Sequence, residues 1–209
     1  LQSLKTLHIS IRHDYHDGSD YSDGDDDEVL PNLDWGELTC ILNHVRQKVR
    51  VELANSDMWE HAGELQALAR AIRGHPTITG FDSGNNLPYM ESMDSLYSAL
   101  ATLPALECIK ISAPLDDEIT LANPESLTEL LRIPSLRSVY FRTFHFTRAL
   151  CHATANALME GTVVTKLEFR KCSFSAGECA AIMAKGLTSN ASVSYIEVAR
   201  PLDGVLIGA

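Results

Sequence analysis

One short apolar triplet recurs along this chain at nearly constant spacing, and that spacing constrains the fold more than any other feature. The triplets follow L-x-x-L-x-L: Leu4, Leu7, Ile9; Lys48, Val51, Leu53; Ile78, Phe81, Ser83; Leu106, Ile109, Ile111; Leu136, Val139, Phe141; Val164, Leu167, Phe169; and Val193, Ile196, Val198. Their first residues, used below as markers, lie 44, 30, 28, 30, 28 and 29 residues apart. Five of six intervals therefore agree within two residues. A fixed period of this length belongs to chains in which each unit packs only on its neighbours. The clearest unit spans Val164 to Val198, where strand-like alternation gives way to a helical stripe and then resumes at Val193, Ile196 and Val198.

The links between triplets repeat as well. Six residues before each later marker stands Leu42, Ile72, Leu100, Leu130, Leu158 or Leu187. Two residues before it, Pro76, Pro104 and Pro134 fill one slot in consecutive units. Proline there stops a helix and pushes the preceding residue toward an extended conformation, as a helix-to-strand turn requires. Apolar residues at i, i+4 spacing, such as Cys179, Ala180, Met183, Ala184 and Leu187, predict helices between the strands. The expected helices are 34–45, 61–73, 89–103, 124–132, 147–160 and 175–188. Ser175-x-x-Glu178 reads as a capping box, and Asn123-Pro124 as cap and first helical residue.

The best copy, V-T-K-L-E-F-R-K-C-S-F at 164–174, fits L-x-x-L-x-L-x-x-N/C-x-L throughout. With its period of 28 to 30, the chain resembles leucine-rich-repeat proteins of the ribonuclease-inhibitor-like class. The resemblance covers most of the chain outside one acidic stretch. It implies an α/β fold: a right-handed β-α solenoid, a horseshoe with a parallel concave sheet and helices on the convex side. Lys48 and Ser83 depart from the pattern, and Val49 is expected to slide inward in place of Lys48.

The 44-residue first interval holds about fifteen extra residues, and they surround HDYHDGSDYSDGDDDE at 13–28, with eight carboxylates. Neither Gly18 nor Gly24 sits where a calcium loop needs glycine, so an unstructured, solvated insertion is expected. Net charge is −11, concentrated in residues 1–105, which carry 7 basic and 17 acidic side chains. Such a chain is a poor nonspecific binder of nucleic acid or anionic membrane. No apolar run approaches the roughly 20 residues of a membrane span, so membrane insertion is not expected. The five cysteines lack paired spacing. Cys151 and Cys179 share one helical slot and Cys172 fills the N/C position, so all three read as small buried residues. That favours a reducing, cytoplasmic setting. The chain lacks an initiator Met and starts inside a strand motif, so one domain of a longer protein is expected. Trp59 reads as a packing residue, and the sequon Asn190-Ala191-Ser192 lies in a tight turn.

Alternation assigns marker-plus-two, plus-four and plus-six residues to the solvent face of the sheet. On the last strands these include Tyr140, Arg142, Lys166, Arg170 and Tyr195, with Glu168 and Glu197 interleaved. Tyr and Arg are enriched at binding hot spots, so these five form the candidate partner site. The competing reading is a solvated face whose Glu and Arg side chains neutralise each other. No phosphate loop, zinc motif or nucleophile motif is present, so neither a catalytic residue nor a cofactor or metal is assigned. The resemblance implies a non-enzymatic protein-interaction scaffold. Its alternatives are a GTPase-activating protein of the Ran-activator type and the substrate receptor of a ubiquitin ligase. Oligomeric state is not legible in the sequence.

Overall fold

The computed structural model describes residues 6–12, 35–54, 62–84, 90–112, 123–175 and 177–199. The acidic stretch 13–28 and Trp59 lie outside the described residues. Strands and helices alternate: β1 (Thr6–Arg12), α1 (Trp35–His44), β2 (Lys48–Ala54), α2 (Ala62–Ile72), β3 (Ile78–Asp82), α3 (Met90–Ala101) and β4 (Cys108–Ser112). Then come α4 (Pro124–Leu131), β5 (Ser138–Arg142), β6 (His145–Phe146), α5 (Arg148–Met159), β7 (Lys166–Arg170), β8 (Ser173–Phe174), α6 (Gly177–Ser189) and β9 (Tyr195–Ala199). Seven strands form one parallel sheet in the order β1-β2-β3-β4-β5-β7-β9, and β6 pairs with β8 beside it. Each crossover in the large sheet contains a helix. Parallel crossovers are overwhelmingly right-handed, so a sheet that grows in one direction receives all its helices on one face. Consecutive helices pack side by side from α1 to α6, which makes that layer continuous.

The marker spacing reappears as strand register. Gly80 aligns with Cys108, Cys108 with Ser138, Ser138 with Lys166 and Lys166 with Tyr195. At the β2–β3 pair Val49 aligns with Ile78 and Arg50 with Gly80, with a bulge between them. The bulge seats Val49 in the marker slot, where it is buried, while Lys48 stays outside and pairs with Glu107 at 2.9 Å. Ser83 keeps an inward slot because its hydroxyl is satisfied: it accepts from the Ser112 amide at 2.8 Å and donates to the Ser112 carbonyl at 3.4 Å. One expected register is corrected. Thr6 pairs with Lys48, so the first strand is displaced by two residues from the Leu4–Lys48 alignment. A two-residue slip leaves each side chain on the same face, so the triplet pattern could not detect it.

The core lies between the sheet and the helices. Leu68, Ile72, Leu96, Leu100, Leu127, Leu130, Leu150 and Leu158 meet the inward strand residues Val51, Phe81, Ile109, Val139 and Leu167, and all are buried. Each such side chain contributes about 1.5–3 kcal/mol by leaving water. Phe141, Phe144, Phe146, Phe169 and Phe174 form an aromatic group under β5 to β8, with Phe141 and Phe169 stacked at 5.6 Å. α2, α3 and α4 end before Pro76, Pro104 and Pro134, as the sequence predicts. Asn123 caps α4 by accepting from the Glu125 amide at 3.0 Å. At α6 the two expected capping-box side chains contact neighbouring units. Ser175 bonds to the His145 ring at 2.9 Å, and Glu178 pairs with Arg148 of α5 at 3.3 Å. Asn190, the sequon asparagine, donates to the Leu158 carbonyl at 2.8 Å and accepts from the Val193 amide at 2.7 Å, so its side chain holds the turn.

A second correction concerns the last strand. Ile196 and Val198 align with the buried Leu167 and Phe169, yet they are 45% and 62% exposed. β9 ends the strand order, and no described strand lies beyond it to cover them. Cys151 and Cys179 are free thiols, fully buried where α5 meets α6. Burial, aided by a hydrogen bond from Cys179, pushes the Cys151 thiol up to about 12. No helix among the described residues is long and apolar enough to cross a membrane.

Candidate recognition site on the open sheet face

Strand β7 reads K-L-E-F-R, so alternation sends Lys166, Glu168 and Arg170 to the face away from the helices and Leu167 and Phe169 into the core. Parallel pairing sets Tyr140 beside Glu168 and Arg142 beside Arg170 on β5, and Tyr195 beside Lys166 on β9. The structure thus brings together all five residues selected from the sequence. Four of them, Tyr140, Arg142, Lys166 and Arg170, line a recess of about 530 Å³. Tyr195 stands outside the recess, across Lys166 from Tyr140. The Lys166 ammonium lies 5.1 Å from the centre of the Tyr140 ring and 4.8 Å from that of Tyr195. Such placement is attractive because each ring face is electron-rich.

Sequence reasoning passed over the residue at the centre. Glu168 is only 3% exposed, although it sits on the solvent face. Its carboxylate accepts from Lys166 at 2.6 Å and from Arg170 at 3.1 Å. Arg170 reaches Glu197 at 3.2 Å, and the Tyr195 hydroxyl donates to Glu197 at 2.8 Å. A buried carboxylate is tolerable only when paired and hydrogen-bonded, and Glu168 has a cation on each side. The signal was present in the sequence: in a strand, the residues two before and two after Glu168 share its face, and both are basic. The hydrogen bond to Glu168, then that to Tyr140, holds the Lys166 ammonium above the ordinary lysine range. The hydrogen bond to Glu197 raises the Tyr195 phenol.

The neutralisation reading therefore holds for part of the face. Lys110 pairs with Asp82 at 2.8 Å, and Lys166 and Arg170 are tied to Glu168. Even so, the recess is lined by four basic side chains, Lys110, Arg142, Lys166 and Arg170, against two acidic ones, Asp82 and Glu168. Gly84 and Ser112, in the row of Arg142 and Arg170, leave the space that forms it. Further along the sheet, Arg50 lies across Gly80, whose missing side chain makes room, and reaches the Cys108 sulfur at 3.7 Å. Burial raises the Cys108 thiol, while Arg50 and Lys110 pull in the opposite direction. Among the described residues, no group of three or more His, Cys, Asp or Glu side chains could hold a metal ion.

No protein-family model matches this chain, and no curated protein matches it either.

Proposed function

We propose that the chain is a non-enzymatic protein-recognition scaffold whose partner docks on the open sheet face at the Tyr140–Arg170 recess. In this reading it is a leucine-rich-repeat solenoid of the ribonuclease-inhibitor-like class, working in the cytoplasm, with the open face concave. One observation carries the proposal: a mainly basic recess of about 530 Å³ on the exposed face of a chain whose net charge is −11. The walls stand on adjacent strands about 4.8 Å apart, so the side chains are held by the sheet and little ordering is required on binding.

The test is to capture partners from source extract, identify them, and titrate the purified partner against variants. Arg142→Glu and Tyr140→Ala are the suitable substitutions, because neither removes a counter-charge from Glu168. Arg170→Glu would strip one and add a second acid beside it. Each suitable variant should bind at least about tenfold more weakly while its circular dichroism and melting temperature stay unchanged. Undiminished affinity in both folded variants would move the site off this face.

A further inference from the structure

We infer that two copies of this chain associate through the β9 end of the sheet, pairing their β9 strands antiparallel about a two-fold axis. The observation behind it is independent of the recess and concerns how each unit is sealed by the next. In the unit that ends in β7, Ala155, Leu158, Val164, Leu167 and Phe169 are all buried. The corresponding residues of the units ending in β4 and β5 are buried likewise. One period later the same slots hold Ala184, Leu187, Val193, Ile196 and Val198. Here Ala184, Ile196 and Val198 are exposed, and Leu187 and Val193 are only half-buried. Ala155 shows what covers the first slot elsewhere, since it lies against Gly186 of the following helix.

All five uncovered side chains are apolar. A solenoid end that stays in water carries a polar outer face instead, and an open core of this kind is the hallmark of a stable subunit contact. The main chain is open too. The Tyr195 amide donates to the Thr165 carbonyl at 3.1 Å, and the Ala199 carbonyl accepts from Lys171 at 2.8 Å, both on the β7 side. Successive residues of a strand aim their N–H and C=O groups at opposite neighbours, so those of Ile196 and Val198 face the outer edge. Setting Ile196 opposite Val198 of the second copy, and the reverse, lets each pair exchange two hydrogen bonds. Opposite residues share a face, so these four side chains meet on the helix side, in line with the core. On the other face Glu197 meets Glu197 of the second copy. Their repulsion is small, because each carboxylate is already held by Arg170 at 3.2 Å and by the Tyr195 hydroxyl at 2.8 Å.

Charge selects a second copy in this orientation. Residues 106–209 carry 10 basic and 11 acidic side chains, against 7 and 17 in residues 1–105. Joining two β9 ends therefore brings near-neutral halves together and holds the acidic halves at opposite ends of one continuous sheet. Joining β9 to the β1 end of another copy would place an acidic half at every junction and build an open-ended series. The two-fold contact closes at two copies, and the apolar face is its own complement. The pair then presents both open sheet faces on one side, with their β7 strands about 14 Å apart.

The experiment is analytical ultracentrifugation of the 209-residue chain at about 1–100 μM, with variants at both ends of the sheet. The parent should sediment at twice the mass of one chain and dissociate on dilution. Val198→Lys should weaken the dimer at least about tenfold while circular dichroism stays unchanged, because Val198 stands in solvent in the single chain. Ile41→Lys, exposed on α1 at the far end, should leave the dimer intact. Air oxidation of Glu197→Cys reads the pairing itself. Opposite residues of a non-hydrogen-bonded antiparallel pair lie about 4.5 Å apart between Cα atoms, within disulfide reach. That variant should give a linked dimer on a non-reducing gel, well above the background of the parent, whose Cys40 is exposed. A monomer at every concentration, species larger than a dimer, or a dimer indifferent to Val198→Lys would overturn the inference. So would a dimer dissolved by Ile41→Lys, or cross-linking of Glu197→Cys no greater than that of the parent.

Discussion

Gly186 lies inside α6, where an alanine would normally help a helix by about 1 kcal/mol. Here the neighbouring helix forbids it. A Cβ built at Gly186 falls 2.6 Å from the Ala155 Cα, 2.8 Å from its Cβ and 3.0 Å from its carbonyl oxygen. Carbon atoms prefer separations of about 3.5–4.0 Å, so α5 and α6 must part by roughly 1 Å. Two of the three obstacles are backbone atoms, which no rotamer change can remove. Parting the helices also loosens Cys179 and Met183, buried on the same face of α6. Overpacking of this kind costs about 1–3 kcal/mol, and the upper half of that range applies to rigid obstacles. After subtracting the helix-propensity gain, Gly186→Ala should lose about 1–2 kcal/mol. In a chain of this size the melting temperature should then fall by about 2–8 °C. The internal control is Gly177→Ala in the same helix, where nothing lies within 4 Å of the added atom and stability should hold or rise. Urea denaturation and thermal melts of the two variants and the parent settle the matter. Gly186→Ala matching or exceeding the parent would refute the close approach of α5 and α6.

Two further predictions concern buried polar groups. The Tyr97 hydroxyl is buried with no hydrogen-bond partner among the described residues, and burial, with Asp94 adding to it, raises its phenol. Tyr97→Phe should therefore leave stability unchanged or increase it by about 1 kcal/mol in urea denaturation, because an unsatisfied group is removed; a comparable loss would mean that the hydroxyl is bonded. Cys151 titrates higher in the folded chain, at about 12, than the ordinary thiol value of about 8.5. Its stabilising contribution is therefore complete below about pH 8.5 and fades as pH climbs toward the folded value. Urea midpoints measured between about pH 9 and 11 should fall less steeply for Cys151→Ala than for the parent, and identical slopes would contradict the raised thiol.

The sequence by itself determined the alternation of strands and helices, the parallel order and most of the register. Its signals are local and repeated: inward residues at fixed offsets, prolines closing helices, and Asn123 opening one. It also named the five side chains that meet on the open face, because alternation assigns a face once the strand is known. Four decisions were left to tertiary structure. The two-residue displacement of β1 preserves every facing, so hydrophobic pattern is blind to it. Ile196 and Val198 carry the core pattern, yet they are exposed because burial depends on what lies alongside a strand. Glu168 counted as one charge among several until pairing set Tyr140 and Glu197 on either side of it and closed its carboxylate off from solvent. Nothing in the local sequence marks Gly186, and only the Ala155 backbone against it shows why no larger side chain fits. In each case the missing information is what the fold sets beside a residue from a distant part of the chain, which no local pattern encodes.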